Sequence, residues 1–170
     1  MFGKMKKLFG NKPEGPEEFK APLIGKLVTM QDVPDPTFAK EMLGPGFAII
    51  PTEGKLFAPV KGEVTLVFDT LHAIAITTEA GAELIFHVGL DTVKEGGQGF
   101  EAQVAVGDKV KAGDLLLTFD LDGLEAKGYN MITPVILTNK DLFSKAEINQ
   151  TMLNQNVGLD DLVYTLEKAE

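Results

Sequence analysis

The chain has 170 residues, with 16 basic and 25 acidic side chains, two His and no Cys, for a formal net charge of −9. That is the length of one domain, able to bury about 70% of the surface its unfolded form exposes without a disulfide or metal staple. The lack of Cys excludes thiolate nucleophiles, disulfides and thiolate metal sites and permits an intracellular compartment, while an acidic chain whose every basic residue is Lys argues against nucleic-acid binding, which relies on Arg forks and basic stripes.

In chain order, residues 1–12 carry Lys4, Lys6, Lys7 and Lys12 and no acid. Phe2, Met5 and Phe9 fall at helical spacing beside Lys4, Lys6 and Lys7, a pattern suited to an anionic membrane surface. A helix of about nine residues is marginal in water, so a solvated tail is the competing reading. The start lacks the apolar stretch of a signal peptide, and no run approaches the roughly 18 apolar residues of a membrane span, which predicts a cytoplasmic protein, peripheral at the inner face of the membrane if the tail binds lipid. Gly10 to Lys20, with Pro13, Gly15 and Pro16 among charges, reads as a linker. The division is a basic tail and linker over 1–20 and a folded domain over 21–170.

From Ala21 onward, short runs rich in Val, Ile, Leu, Phe and Thr are cut by Gly or Pro, the spacing of an all-β domain. Strands are predicted at Lys26 to Met30, Phe47 to Ile50, Glu63 to Phe68, Ala73 to Thr77, Leu84 to Val88, Leu115 to Asp120, Pro134 to Thr138 and Leu162 to Leu166. Helical pieces are predicted at Pro36 to Met42, Leu121 to Lys127 and Ser144 to Asn149. Ala21-Pro22-Leu23-Ile24-Gly25 and Ala58-Pro59-Val60-Lys61-Gly62 recur 37 residues apart, each followed by a strand pattern, which predicts two similar supersecondary units. Gly96-Gly97-Gln98-Gly99 lacks the Gly-Lys-Ser/Thr of a phosphate loop and reads as a turn. Asp120, Asp122 and Glu125 read as a solvated turn.

His72 and His87 are the principal candidates for covalent or acid–base work near neutral pH. They lie in strand-like runs joined by Thr78-Glu79-Ala80-Gly81-Ala82-Glu83, which reads as a hairpin. If Thr78 pairs with Glu83, His72 faces Gly89, His87 faces Ile74, and the two imidazoles are diagonal neighbours on one face. Direct pairing of the histidines also joins them, whereas the intermediate register, His72 against Val88, places them on opposite faces. A neutral imidazole is a competent nucleophile, and a second one at contact distance can donate a hydrogen bond to an anion attached to the first, which suits phosphoryl transfer. Isolated core histidines and a zinc site are the competing readings; neither HExxH nor His-x-His occurs to favour a built-in zinc enzyme. Asp91, about 13 Å along a continuing strand from His87, reads as a rim charge.

Ala58 to Gly62, Phe68-Asp69-Thr70-Leu71-His72-Ala73-Ile74 and Glu83-Leu84-Ile85-Phe86-His87-Val88-Gly89-Leu90-Asp91-Thr92-Val93 resemble the glucose-family IIA component of the bacterial phosphoenolpyruvate:sugar phosphotransferase system. The resemblance extends to Val33 to Ala39, Met42-Leu43-Gly44, Gly46 to Ile49, Gly99-Phe100, Thr133-Pro134-Val135 and Thr138-Asn139. It implies an antiparallel β-sandwich built from a duplicated hybrid motif, with a few short helices. It implies a phosphotransferase component acting through phosphohistidine. His87 accepts the phosphoryl group on Nε2 from the phosphocarrier protein HPr and passes it to a cysteine of the IIB domain of a sugar permease, and His72 hydrogen-bonds the phosphate. Thr70 matches the residue bonded to that partner histidine, and Gly89 the carbonyl that holds Nδ1 of the acceptor.

Phe38, Phe68 and Val93 match apolar contacts, with Asp35 and Asp91 on the rim, a docking surface for basic partners that would themselves bring any Arg. No cofactor is required; zinc is expected at His72 and His87 only with a partner carboxylate. The alternative is a regulatory binding module whose docking to transporters or kinases is gated by phosphorylation of His87. A lipoyl-like carrier is disfavoured because its Met-Lys-Met hairpin is missing. Lys94 stands where some relatives carry an acid, and Ser144 to Asn156 follows no pattern that aligns with the family, which bears on contacts with regulatory targets.

Overall fold

The computed structural model describes residues 15–169. The tail reading, which rests on Phe2, Lys4, Met5, Lys6, Lys7 and Phe9, lies outside the described residues. The strands are β1 (Glu17–Lys20), β2 (Gly25–Thr29), β3 (Gly46–Pro51), β4 (Lys55–Phe57), β5 (Gly62–Val67), β6 (Ala73–Thr78), β7 (Glu83–His87), β8 (Phe100–Ala102), β9 (Lys109–Val110), β10 (Leu115–Phe119), β11 (Thr133–Leu137), β12 (Phe143–Ile148), β13 (Asn156–Val157) and β14 (Leu162–Lys168). Two short helices, α1 (Pro36–Ala39) and α2 (Leu121–Ala126), and 3-10 turns at Met30–Asp32, Thr92–Glu95 and Lys140–Leu142 complete the fold. Among the described residues no helix is long and apolar enough to cross a membrane.

An eight-stranded antiparallel sheet, ordered β13-β2-β3-β11-β7-β6-β5-β9, dominates the fold, with two three-stranded sheets, β1-β14-β12 and β4-β10-β8. Strand alternation divides its residues between two faces. Leu27, Phe47, Ile49, Val64, Ile74, Ile76, Leu84, Phe86, Val135 and Leu137 turn inward, into one core with Phe19, Leu56, Leu116, Leu117 and Tyr164 of the small sheets. Each fully buried large side chain of this set contributes about 1.5–3 kcal/mol of transfer free energy. On the other face, Val28, Ala48 and Ile136, with Ile85 beside them, form a second cluster under Met30, Val33, Phe38, Leu90 and Ile132. The site is built on that second face.

The repeat seen in the sequence is a structural duplication. Lys20 N donates to Pro59 O at 3.0 Å, and Phe57 N, 37 residues after Lys20, donates reciprocally to Pro22 O at 2.7 Å. Further along, Ala21 N donates to Asp161 O and Ala58 N to Asp114 O, at 2.9 and 2.8 Å. The two aspartates then cap matching turns, Asp161 accepting from Gly158 N at 2.8 Å and Asp114 from Lys111 N at 2.9 Å. β13 pairs with β2 as β9 pairs with β5, Val157 against Gly25 and Val110 against Gly62.

Three expectations are corrected. Ser144 to Asn149 is not helical: Ser144 to Ile148 fall in β12, paired with β14, because Phe143, Ala146 and Ile148 pack on the core and tertiary pairing overrides the helical preference of the Lys-Ala-Glu run. The linker does not extend to Lys20; Glu17 to Lys20 form β1, with Phe19 fully buried. Finally, α1 stops at Ala39, short of Met42, because Glu41 takes a left-handed φ of 53°. Asp120 is more than a solvated turn residue, since its carboxylate caps α2 by accepting from Gly123 N at 3.1 Å.

Glu17 fastens β1 to the far end of the β6–β7 hairpin. Its carboxyl is 5% exposed and accepts from the Thr78 hydroxyl at 2.7 Å and from Ala80 N at 3.3 Å. Glu17→Ala, which strands both donors, is expected to cost about 1–3 kcal/mol in urea unfolding. Burial holds this carboxyl above its ordinary range although the two donors pull it down. Native Glu17 therefore binds its proton more tightly than unfolded Glu17, so its contribution is full below the unfolded pKa and declines as pH rises through the folded value. Relative to Glu17→Gln, wild-type stability should fall over that interval, and parallel curves for the two proteins would contradict the assignment.

Candidate functional site

The hairpin joining the two histidines does not have the register that geometry first favours. Thr78 N donates to Ala82 O and Gly81 N to Thr78 O, both at 2.9 Å, and Gly81 has φ +94°. This three-residue loop ends in a left-handed glycine. It fixes Ala73 against His87 and Ile74 against Phe86, which continues to His72 against Val88. That register was expected to separate the histidines, yet their ring centroids are 5.0 Å apart, at an interplanar angle of 83°. The exception is local. His72 lies just outside β6, after Leu71 at a left-handed φ of 59°, so strand alternation no longer dictates where its side chain goes.

His87 ends β7 on the outer face, half-buried, and its Nδ1 lies 2.8 Å from Gly89 O. A carbonyl oxygen only accepts, so Nδ1 carries the proton and Nε2 keeps its lone pair. Gly89, at φ +77°, makes this possible by folding the chain back immediately after the strand. A Cβ there would approach Thr92 Cγ2 to 2.7 Å and Met131 Sδ to 2.9 Å. Thr92, fully buried, secures the same turn by donating its hydroxyl to Val88 O. His72 is 5% exposed, and its Nδ1 is 2.6 Å from Thr70 Oγ1. If Nδ1 accepts from that hydroxyl, the Nε2–H of His72 is free to donate to an anion.

Burial pushes both imidazoles below their ordinary pKa, with His87 adding a repulsive charge against His72. At His87 the carbonyls of Gly89 and of His87 itself, then Asp35 and Asp91, pull the other way. The pair is accordingly neutral near pH 7. Phe38 packs on His87 at 5.1 Å and Phe68 on His72 at 5.4 Å between ring centroids. Asp35 holds α1 in place by accepting from Thr37 N at 2.9 Å, with Pro36 at the first helical position. Val93 is 48% exposed on the 3-10 turn after exposed Asp91, whose φ is 62°.

The structure thus gathers Thr70, His72, His87, Gly89, Phe38 and Phe68 at one place, with Asp35 and Asp91 near enough to act on the charge of His87, while Val93 is exposed on the turn that follows Asp91. Leu71 and Thr92, which shape the two turns, escaped the sequence reading; a bulky residue before His72 carries no left-handed signature. Gly96 to Gly99 form turns, with Gly96 N on Val93 O and Phe100 N on Gly97 O. Two imidazoles supply two of the four ligands that zinc usually takes, and no group of three or more His, Cys, Asp or Glu suited to a metal occurs among the described residues. Among the described residues nothing completes a zinc site at the histidine pair.

A family profile described as phosphoenolpyruvate-dependent sugar phosphotransferase system, EIIA 1, matches residues 17–143. The chain is 48% identical over 157 residues to the PTS system glucose-specific EIIA component of Halalkalibacterium halodurans, covering 86% of this chain and 91% of that protein. It is 51% identical over 128 residues to the PTS system glucosamine-specific EIICBA component of Bacillus subtilis, covering 75% of this chain but 20% of that protein. Among solved structures, glucose permease IIA from Mycoplasma capricolum superposes with a TM-score of 0.79 at 34% identity, over 89% of this chain and 96% of that one.

Proposed function

Since the chain belongs to the EIIA 1 family of the phosphoenolpyruvate-dependent sugar phosphotransferase system, a family of phosphocarriers in sugar uptake, we propose that His87 carries the phosphoryl group on Nε2 and His72 stabilises it. The observation that supports this reading most is the bond from His87 Nδ1–H to Gly89 O, which leaves an unprotonated Nε2 beside a second imidazole. Nε2 attacks the phosphorus of phosphohistidine on HPr; the new N–P bond forms as the donor's N–P bond breaks, and the departing imidazole keeps the electron pair. In the second step a cysteine thiolate of a IIB domain attacks, an S–P bond forms and the Nε2–P bond breaks. The chain's share is positioning and charge stabilisation. His72 donates from Nε2 to a phosphoryl oxygen while Thr70 holds its Nδ1.

Phe38, Phe68 and Val93 form the apolar centre of the docking surface and Asp35 and Asp91 its acidic rim, a pattern that steers basic partners and permits fast release. The setting is the cytoplasmic side of the membrane, with a glucose-type permease as recipient and the basic tail on anionic lipid. Equal binding of the whole chain and a chain starting at Pro13 to anionic vesicles would remove the tail from this account.

Intact-mass analysis tests the carrier role. Incubation with phosphoenolpyruvate, enzyme I and HPr is expected to add one phosphate, which a IIB domain then removes. A stable phosphoprotein that donates nothing to IIB would favour a regulatory module. Gly89→Ala, strained at φ +77° and crowded by Thr92 and Met131, is expected to displace the carbonyl that holds Nδ1 and slow uptake by about tenfold or more; unchanged uptake kinetics would refute that role.

A further inference from the structure

Pro134 stands where proline is disfavoured, inside β11, between β3 and β7 in the middle of the eight-stranded sheet. On the β3 side it costs nothing. Leu137 N donates to Pro45 O, and since bonded pairs alternate in an antiparallel ladder, Pro134 against Ala48 is a non-bonded pair. Its missing N–H therefore faces β7. There Thr138 N donates to Glu83 O, and the register Ile136 against Ile85 and Val135 against Phe86 continues to Pro134 against His87. By the same alternation that last pair is a bonded one, in which any other residue would donate its N–H to the carbonyl of His87. The β6 ladder supplies no substitute, because Val88 N donates to His72 O and Ala73 against His87 is a non-bonded pair.

Resting on the phosphocarrier reading of His87, we infer that Pro134 is a positioning residue for that histidine: by withholding one ladder hydrogen bond it leaves the His87 carbonyl oxygen facing the imidazole edge that also meets Gly89 O. Gly89 O accepts from Nδ1 at 2.8 Å, the unengaged His87 carbonyl adds its dipole to the hold on that proton, and Nε2 stays the nucleophile. The carbonyls of Gly89 and of His87 itself are both felt by the ring as favouring its proton. Any residue with an N–H at 134 would compete for one of them. The cost to the sheet is one ladder bond, at the point where β7 leaves the ladder and Leu90 N turns to Asn130 O.

Pro134→Ala restores the donor and is expected to fold, since it completes the ladder; Pro134→Val, with a stronger strand preference, serves as a second variant. Nitrogen-15 NMR of the unphosphorylated imidazole reads the tautomer directly. Wild type is expected to hold the Nδ1–H form, whereas either folded variant shows a mixture, a new amide at 134 protected from exchange, and phosphate uptake from phospho-HPr slowed by about three- to tenfold. A tautomer and an uptake rate both unchanged in a folded variant with a protected amide would overturn the inference. Failure of the wild type itself to take up phosphate would overturn the carrier reading, while the NMR comparison still decides whether Pro134 sets the tautomer.

Discussion

His87→Gln is expected to abolish phosphate uptake, lowering it by at least about 10⁴-fold, to background, while leaving the fold intact. His87 is half-buried at the end of a strand on the outer face, and Gln can fill the space beside Phe38. Circular dichroism and the urea midpoint should then stay close to wild type. What is lost is the lone pair on Nε2. A carboxamide nitrogen is not nucleophilic, and the other imidazole at the site, His72, presents a protonated Nε2 when its Nδ1 accepts from Thr70, so it does not replace the lost nucleophile. Uptake after prolonged incubation with phosphoenolpyruvate, enzyme I and HPr reads this directly. Phosphate appearing in the variant at a comparable level would move the acceptor to His72 or elsewhere.

His72→Gln should separate the two halves of the reaction. The nucleophile is untouched, so phosphate is still acquired to the same end point, but the onward rate to a IIB domain is expected to fall by about 10²–10³-fold. The rigid ring of His72 is held from one side by Thr70, 2.6 Å away, and from another by Phe68. A flexible Gln reaches a similar distance without that pre-organisation, and charge on the migrating phosphoryl group loses its fixed donor. Rapid-quench measurement of transfer from the phosphorylated variant checks it. Wild-type rates would show that His72 only fills space. Thr70→Val is the finer probe, because it removes the hydroxyl while the His72 ring remains.

Much of this site is legible in the sequence because its residues are rare or carry strong local rules. With two His and no Cys, candidate nucleophiles are few. Asp35-Pro36 announces the start of α1, and Gly89 announces a turn. Six strands of the large sheet, β2, β3, β5, β6, β7 and β11, follow from runs of Val, Ile, Leu and Phe, with boundaries that differ from expectation by a residue or so, whereas the two-residue edge strands β9 and β13 are not among the predicted ones. The pairing of those strands is harder to read. Whether Thr78 pairs with Glu83 or with Ala82 depends on one left-handed residue, Gly81, and that choice moves every side chain of β6 to the other face. The site survives because Leu71 turns left-handed just before His72, a conformation that a leucine does not advertise.

Other features are set by contacts remote in sequence. Glu17 reads as part of a charged linker until Thr78, 61 residues away, gives it a buried partner. The Lys-Ala-Glu run of β12 becomes a strand because β14 offers it an edge. Pro134 reads as a strand breaker, and only the alternation of two ladders shows that its missing N–H is aimed at His87. The duplication, by contrast, is visible in both, since the Ala-Pro repeat that starts each unit makes the reciprocal bonds joining the two units.

The most direct measurement is phosphorus–nitrogen NMR of the phosphorylated, nitrogen-15-labelled chain, recorded at neutral or alkaline pH, where phosphohistidine is stable to hydrolysis. A single phosphorus signal coupled to Nε2 of His87, with the proton retained on Nδ1, is the result expected from the hydrogen bond to Gly89. Phosphorus coupled to Nδ1 of His87, or to either nitrogen of His72, would contradict the account at its centre.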